Sequence, residues 1–445
     1  MESIVLKITE RYWLKYKSIL FLVIVSALTC ATSFPRTAGE SYLQVNILVA
    51  ISLITIVLYS ACCFMANRIP RAQKGKTAVL FVVDAESEQL YKDVRKKLIC
   101  TFSEFVNNES NIQFEALYVK KEQIKNFSLR NQKETVALLG KTGAIFIAEV
   151  VYRVDSVTNA ENYTMKINYG VLHPNFSAKA QKLLQQDINA VQKGLEKRKF
   201  AKPQLLDEFE STAQTLSIVC QYVIGLVFLL SGNAKFSYQL FHKALSDLER
   251  MEFANKTTLQ RLLQNRLIAS CYAVANEDIS LFEQTKNVFH IVDMNEKVEE
   301  ANAIRAGNPD YYLAKAYHAI VVNRDPTEAN TYIIQSRAID GRKTWRYSEA
   351  FLAAYTGKST MTIYQKYVKA FKVDYNLISI IDFIEYIFEK EPDKTGLLFA
   401  LGMTYEQIGD LALANKNYEK YLETISDEKA KTFLSDRIMQ LQSRG

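Results

Sequence analysis

Residues 396–422 read GLLFALGMTYEQIGDLALANKNYEKYL, and this stretch decides the fold of the C-terminal part of the chain. Apolar residues recur every three to four positions on both sides of Gly409 and Asp410, which is typical of two amphipathic helices joined by a tight turn. Gly402 and Ala414 are small where two such helices would cross. The stretch therefore predicts a helical hairpin.

The same spacing recurs in residues 223–245, which read VIGLVFLLSGNAKFSYQLFHKAL. Together the two stretches resemble the tetratricopeptide repeat (TPR), a helix-turn-helix unit of about 34 residues. The residues that match its pattern are Ile224, Gly225, Phe228, Gly232, Phe241 and Ala244 in one stretch, and Leu401, Gly402, Tyr405, Gly409, Ala414 and Tyr418 in the other.

Weaker helix pairs lie between these stretches, so the repeat region is predicted to be residues 178–445. The TPR resemblance implies five or six hairpins that stack into a right-handed superhelix, because single hairpins cannot bury their apolar faces alone. It also implies a groove that binds a protein partner. The residues at the groove positions are Tyr222, Leu226, Phe399 and Met403. Since the last two are apolar, we expect an apolar ligand.

Two uncharged apolar segments precede these domains, at residues 18–34 and 43–66. A helix needs about 20 residues to cross a bilayer. The flanks, residues 1–17 and 67–76, hold four Lys or Arg each, whereas the loop between the segments holds one. The positive-inside rule therefore predicts a transmembrane hairpin in the inner (plasma) membrane, with both termini and the soluble domains in the cytoplasm. A cleaved signal peptide is the alternative for the first segment.

The excess positive charge of the chain lies in this N-terminal part. Residues 1–76 hold nine basic and three acidic side chains, and so carry +6 of the net +7. The nearly balanced remainder argues against a nucleic-acid partner. The six cysteines lack the spacing of a disulfide framework or metal site, which indicates a reducing compartment. A third apolar stretch, residues 218–230, is predicted to be a repeat helix because it is too short for a membrane span.

Residues 77–177 predict a small α/β domain. The order β-α-β-α-β-β favours a small sheet with helices on one face, and no strand is expected after residue 178. The predicted strands are residues 77–83, 112–119, 144–153 and 163–172. The predicted helices are residues 86–106 and 133–139, the second ended by Gly140.

A second resemblance rests on TAVLFV at 77–82, on LG at 139–140 where a helix ends, and on GAIF at 143–146 before a β-hairpin. This pattern is similar to the small N-terminal α/β domain of TolB and FlgO-type bacterial envelope proteins. It also resembles the segment before the repeats in some membrane-bound TPR signalling proteins. The likeness covers about 100 residues, and we carry no function over from it.

The sequence predicts no catalytic, cofactor-binding or metal-binding residues. The GKT at 140–142 lacks the earlier glycine of a phosphate loop, and it lies between a helix and a strand. Asp84 follows the first strand, where α/β proteins often place functional carboxylates, but it is predicted to cap the helix that starts at Glu86. An enzyme would need a polar pocket with converging side chains around Asp84.

Four basic residues surround Trp345. Such a cluster could hold an acidic peptide or a phosphate, but a solvated loop between repeats is the preferred interpretation. The four residues are Arg337, Arg342, Lys343 and Arg346.

These patterns together predict a membrane-anchored α+β protein of bacterial type, with two transmembrane helices, a small β-α-β-α-β-β domain and an all-α TPR-like superhelix. We expect a non-enzymatic scaffold or adaptor that binds protein partners in its groove and the lipid bilayer through residues 18–66. Self-association is open. The alternative is a two-transmembrane effector or sensor of a stress or phage-defence system that perturbs the membrane. Toxicity that depends on residues 18–66 would favour this alternative.

Overall fold

The protein is described by a computed structural model, and it is an α+β chain that is mostly helical with one small mixed sheet. The predicted membrane segments at 18–34 and 43–66 lie outside the described residues. The described residues are 69–107, 114–124, 127–129, 131–155, 162–171, 182–183, 186–187, 198–201, 205–250 and 256–443.

The chain divides into two compact units. The first comprises residues 1–172 and 195–214, and the second comprises residues 173–194 and 215–445. The predicted boundary at 177/178 lies close to the first crossing between the units. Residues 195–214 belong to the first unit again, and all residues from 215 onward belong to the second.

The first unit contains a five-stranded sheet in the order β2-β1-β3-β4-β5. Strand β1 is parallel to β2 and β3, whereas β4 runs antiparallel to both of its neighbours, β3 and β5. The first four strands follow the predicted order. The strands are β1 (Thr77–Ala85), β2 (Phe114–Lys120), β3 (Ala144–Asp155), β4 (Asn162–Val171) and β5 (Arg198–Ala201).

The prediction that no strand follows residue 178 was wrong. Strand β5 pairs with the edge of the sheet, with Arg198 opposite Met165 and Ala201 opposite Asn162. Its sequence is RKFA, too short and too charged to show an apolar alternation. Pairing with β4, rather than local propensity, therefore makes it a strand.

Helices cover both faces of the sheet, which corrects the prediction of helices on one face. On one face, the rings of Phe81 and Phe102 lie 5.0 Å apart between their centroids. On the other face, Leu80 belongs to a buried cluster with Leu138 and Leu139. The two right-handed crossovers from β1 to β2 and from β2 to β3 run in opposite directions, so they place their helices on opposite sides.

The helical segments of this unit are α1 (Glu88–Asp93), a π-helical segment (Val94–Ile99), α2 (Cys100–Asn107), a 3-10 turn (Lys121–Gln123) and α3 (Gln132–Thr142). Helix α3 continues through Gly140 and ends at Thr142, with Gly143 as its C-cap, which corrects the predicted end. Gly143 has φ +72°, a left-handed conformation that favours glycine, and its N–H donates to the carbonyl of Leu139 at 2.8 Å.

The second unit is helical throughout its described residues. Each helix packs mainly against its neighbours in sequence, and this arrangement is consistent with a helical-repeat superhelix. The helices are α4 (Leu205–Leu230), α5 (Ala234–Glu249), α6 (Lys256–Thr285), α7 (Phe289–Ile304), α8 (Pro309–His318), a π-helical segment (Ala319–Asn323), α9 (Pro326–Ile339), α10 (Trp345–Tyr355), α11 (Thr360–Ala370), α12 (Leu377–Lys390), α13 (Gly396–Ile408), α14 (Leu411–Leu422) and α15 (Glu428–Gln442). The division between the units falls inside α4.

Four of these helices begin in the same way. Asn233, Asp325, Ser359 and Asp410 occupy the N-cap positions of α5, α9, α11 and α14, and each side chain accepts a hydrogen bond from the backbone N–H three residues later. Four, eight and eleven residues after each cap the side chains are buried. These residues are Ser237, Phe241 and Ala244; Ala329, Ile333 and Ser336; Ile363, Tyr367 and Ala370; and Ala414, Tyr418 and Tyr421. The four helices therefore bury equivalent stripes.

Two glycines allow helices to approach closely. A Cβ atom on Gly402 would lie 2.4 Å from the ring of Tyr418, and one on Gly225 would lie 2.9 Å from the ring of Phe241. In both hairpins the aromatic residue follows the glycine by 16 positions. The sequence pattern thus repeats as the same glycine-to-ring contact.

Among the described residues, one helix is long and apolar enough to cross a membrane. Its window, Ser211–Leu230, has a mean hydropathy of 1.9, but 78% of it is buried within the chain. The prediction for residues 218–230 argued from insufficient length, and that argument was wrong because α4 has 26 residues. Burial, rather than length, indicates a core role for this helix.

We expect Gly402→Ala to destabilise the helical unit by about 1–3 kcal/mol, the usual cost of overpacking. Alanine would otherwise gain roughly 0.5–1 kcal/mol over glycine inside a helix, so a loss identifies the clash with Tyr418. The measurement is the urea midpoint of the full chain in detergent micelles. Gly341→Ala is the control, because a Cβ there has no neighbour within 4 Å. Equal midpoints for both variants would contradict the packing described.

Candidate functional site

A cavity of about 420 Å³ lies in the second unit. Helices α6, α8, α10 and α12 contribute most of its wall, and α7 and α9 contribute a few apolar side chains at its base. Sites for small molecules or for single side chains of a partner fall in this size range, which starts at about 300 Å³.

Aromatic rings form much of the cavity wall. The rings of Tyr317 and Phe383 stack at 4.7 Å between centroids, and Phe383 also contacts Phe351 at 5.0 Å. The rings of Tyr347 and Tyr375 lie 5.3 Å apart. The aromatic residues of the lining are Tyr272, Tyr317, Tyr347, Phe351, Tyr375 and Phe383.

Helical periodicity places these side chains on one face of each helix. In α6 the lining residues follow a spacing of three and four, and α8 shows the same spacing. Ala314 and Ser348 are small residues on α8 and α10, so they leave space that larger side chains would fill. The α6 stripe is Tyr272, Ala275, Asn276, Ile279 and Glu283, and the α8 stripe is Asp310, Leu313, Ala314 and Tyr317; Ala316 of α8 lines the cavity outside this spacing.

The hydroxyl of Tyr317 is buried, and it has no hydrogen-bond partner in the part of the chain that the structure describes. Burial raises the pKa of Tyr317 well above its ordinary value, and the negative charge of Glu283 raises it further. The hydroxyl is therefore protonated at neutral pH. It can donate one hydrogen bond and accept another from a ligand, and a buried polar group left unpaired is costly.

An ordered loop carries Arg342 into the lining. The guanidinium of Arg342 pairs with the carboxylates of Asp310 and Asp340. Asp340 also accepts hydrogen bonds from the backbone N–H of Thr344 at 2.9 Å and from its hydroxyl at 2.6 Å. Burial by itself would raise the pKa of Asp340, but these hydrogen bonds outweigh it and hold the pKa below 3.8.

Glu283 is the other carboxylate of the lining. Burial raises its pKa above the ordinary 4.5, the charge of Asp382 adds to this increase, and Lys286 and a hydrogen bond with Ser379 oppose it. Lys286 itself lies near the rings of Phe282 and Tyr386, at 6.0 and 5.9 Å from their centroids. Glu283 is thus a partly desolvated carboxylate beside an aromatic wall.

The residues predicted for the groove lie elsewhere. Tyr222, Leu226, Phe399 and Met403 are buried, with 0, 0, 1 and 5% of their surface exposed. Tyr222 donates a hydrogen bond to the carboxylate of Asp187 at 2.5 Å. A partner could reach these side chains only if the helices separated. The cavity residues gave one signal in the sequence, a high content of tyrosine and phenylalanine, which suits packed helical repeats and by itself does not indicate a ligand.

The basic cluster around Trp345 is held by contacts within the chain. The guanidinium groups of Arg337 and Arg346 lie 5.2 and 5.8 Å from the Trp345 ring, within the range of cation–π interactions. Arg337 also pairs with Glu349 at 3.8 Å. Only Arg342 among the four clustered residues lines the cavity.

Asp84 belongs to a charged cluster in the first unit. The side chain of Ser87, rather than that of Asp84, caps α1, so the predicted capping role was wrong. The carboxylate of Asp84 lies 2.8 Å from Arg153 and 3.5 Å from Lys121, and Lys121 pairs with Glu149 at 2.6 Å. These groups converge near the carboxyl ends of parallel strands, where they neutralise one another.

Within the described ranges, no group of three or more His, Cys, Asp or Glu is arranged to hold a metal ion. A comparison with known protein families finds no match for this chain, and a search of curated proteins finds none either. The two resemblances noted above therefore rest on the residues themselves.

We expect Asp340→Asn to destabilise the helical unit by about 1–3 kcal/mol at pH 7, because the hydrogen bonds to the carboxylate weaken. The pKa of Asp340 is lower in the folded chain than the ordinary 3.8, so its contribution is present above pH 3.8 and is lost as the pH falls through the folded-state value. The gap between wild type and variant should therefore shrink below pH 3.8.

The measurement is the urea midpoint of both proteins between pH 7 and pH 3. Asp436→Asn serves as the control, since Asp436 is an exposed aspartate on α15. A gap that stays constant over the whole pH range would contradict the assigned role of the Asp340 carboxylate.

Proposed function

We propose that the helical unit is a TPR-like binding module, and that it accepts a segment of a partner protein at the cavity between α6, α8, α10 and α12. The observation that carries this proposal is the cavity of about 420 Å³, to which each of these helices contributes one face. The repeated caps and buried stripes of α5, α9, α11 and α14 support the TPR-like assignment.

The size of the cavity suggests how the partner binds. A space of this volume accepts one or two side chains, whereas a whole segment needs the surrounding surface of the stacked helices. Two exposed apolar side chains belong to this part of the chain: Tyr375 lines the cavity, and Ile378 precedes the lining residue Ser379 on α12. One anchored side chain with a flanking chain along the helices fits this arrangement.

We further propose that the chain is a scaffold or adaptor at the inner membrane. This part rests on the sequence, in which residues 18–34 and 43–66 are uncharged and their outer flanks are basic. In this arrangement the binding module faces the cytoplasm. Anchoring confines the module to the membrane surface, which raises the effective concentration of partners there.

The test uses the full chain in its native membrane with a photo-cross-linking amino acid at position 378, an exposed position next to the lining residue Ser379. We expect a discrete adduct from position 378 and none from position 439, where Met439 is similarly exposed on α15. Adducts of equal yield at both positions would mean that the cavity region has no special role.

Filling the cavity should abolish this adduct. We expect Ala314→Phe to reduce the adduct from position 378 by at least about tenfold, because the new ring occupies the space of the anchored side chain. Ala338→Phe is the matched control, since Ala338 is exposed on α9 and does not line the cavity. An undiminished adduct in the Ala314 variant would contradict binding at the cavity.

A further inference from the structure

The cavity combines aromatic faces with a carboxylate. The ring faces of tyrosine and phenylalanine carry partial negative charge, so they attract an ammonium or guanidinium group within about 6 Å. Glu283 lines the same cavity as Tyr317, Tyr375 and Phe383. Aromatic faces around a carboxylate form an environment that favours a cation.

The positive charges near the cavity are already compensated. Arg342 is paired with Asp310 and Asp340, so two carboxylates balance one guanidinium. Glu283 interacts with Lys286 only at longer range, and Asp382 partly cancels that effect. The charged side chains of the lining are Glu283, Asp310 and Arg342, so two carboxylates face one guanidinium; Asp340 also pairs with Arg342, and the charges of Asp382 and Lys286 act on Glu283 in opposite senses. The balance is therefore negative.

The Tyr317 hydroxyl adds an unsatisfied acceptor. Its oxygen is buried and has no partner among the described residues, so an N–H donor of a ligand could satisfy it. An apolar ligand would leave this oxygen unpaired and would desolvate the carboxylate of Glu283 further, which is unfavourable. A cation pairs with both groups and with the ring faces.

Resting on the function proposed above, we infer that the cavity is a cation site that takes the ammonium or guanidinium head of a lysine or arginine side chain in the bound partner segment. The head group lies against the carboxylate of Glu283 and the rings of Tyr317 and Phe383. This inference replaces the expectation of an apolar ligand, which followed from the buried residues Phe399 and Met403.

The test uses two matched probes on the full chain in detergent micelles. Nα-acetyl-lysine methylamide carries the ammonium group, and Nα-acetyl-norleucine methylamide has a similar apolar chain without it. Calorimetric titration should give a dissociation constant at least about tenfold lower for the lysine probe. Equal affinities for the two probes, or no binding of the lysine probe at millimolar concentration, would overturn the inference.

Two variants locate the interaction. Glu283→Gln should lower the affinity for the lysine probe about tenfold and leave the affinity for the norleucine probe unchanged, because the substitution removes only the charge. Glu296→Gln, at an exposed position of α7 outside the cavity, should change neither affinity. Because the pKa of Glu283 is raised by burial, its neutral replacement should fold, and an unfolding curve checks this. An unchanged preference for lysine in the Glu283 variant would overturn the assignment.

A third probe, n-butylammonium, distinguishes a site for a peptide side chain from a site for a free amine. Tighter binding of this amine than of the lysine probe would mean that the site takes free amines, and would overturn the assignment to a partner segment.

The photo-cross-link distinguishes this inference from the function on which it rests. An undiminished adduct from position 378 in the Glu283→Gln chain would show that a partner binds without a cation contact, so that the inference fails and the proposed function stands. If the chain with the cross-linking amino acid at position 378 and no other substitution gave no adduct, the proposed function itself would be contradicted.

Discussion

Close approach between paired helices is the constraint on which the second unit depends. Each helix has an apolar face that it cannot bury alone, so neighbouring helices must cross with side chains that fit each other. Gly402 leaves room for the ring of Tyr418, and Gly225 leaves room for the ring of Phe241. Because a Cβ atom on either glycine would collide with the facing ring, a larger residue at the glycine position would require a smaller one at the aromatic position.

The cavity follows from the same packing rule. A helix that buries one face against its neighbour in sequence has a second face that is free to line other parts of the structure. In α6, α8, α10 and α12 these second faces surround an open volume. Ala314 and Ser348 keep the volume open because their side chains are short. Its lining also holds polar groups, among them the carboxylate of Glu283 and the buried hydroxyl of Tyr317.

In the described part of the first unit, the charged groups around Asp84 pair with one another. Strand β1 is buried on both faces, with α2 on one side and α3 on the other. The charges at the carboxyl ends of the parallel strands pair with one another through Asp84, Arg153 and Lys121. The second unit differs, because its cavity holds the carboxylate of Glu283 and the hydroxyl of Tyr317. Contacts among the described residues do not fully satisfy these two groups.

Local patterns in the sequence determined the type of most elements. Helical periodicity and turn residues located the hairpins around Gly232 and Gly409, and apolar runs located β1, β2, β3 and β4, because these signals depend on neighbouring residues in the chain. The same reasoning could not find β5, which exists through pairing with β4. It also could not place helices on both sides of the sheet, since that follows from the direction of the crossovers.

The site was decided by the tertiary structure alone. The residues that line it come from helices as far apart in sequence as Tyr272 and Phe383, and no local pattern shows which faces will meet. Conversely, the residues predicted for the groove matched a repeat pattern, yet helix packing buried them. The sequence determined that helices would pair; only their packing decided which side chains stay accessible, because accessibility depends on the distance between segments that are remote in the chain.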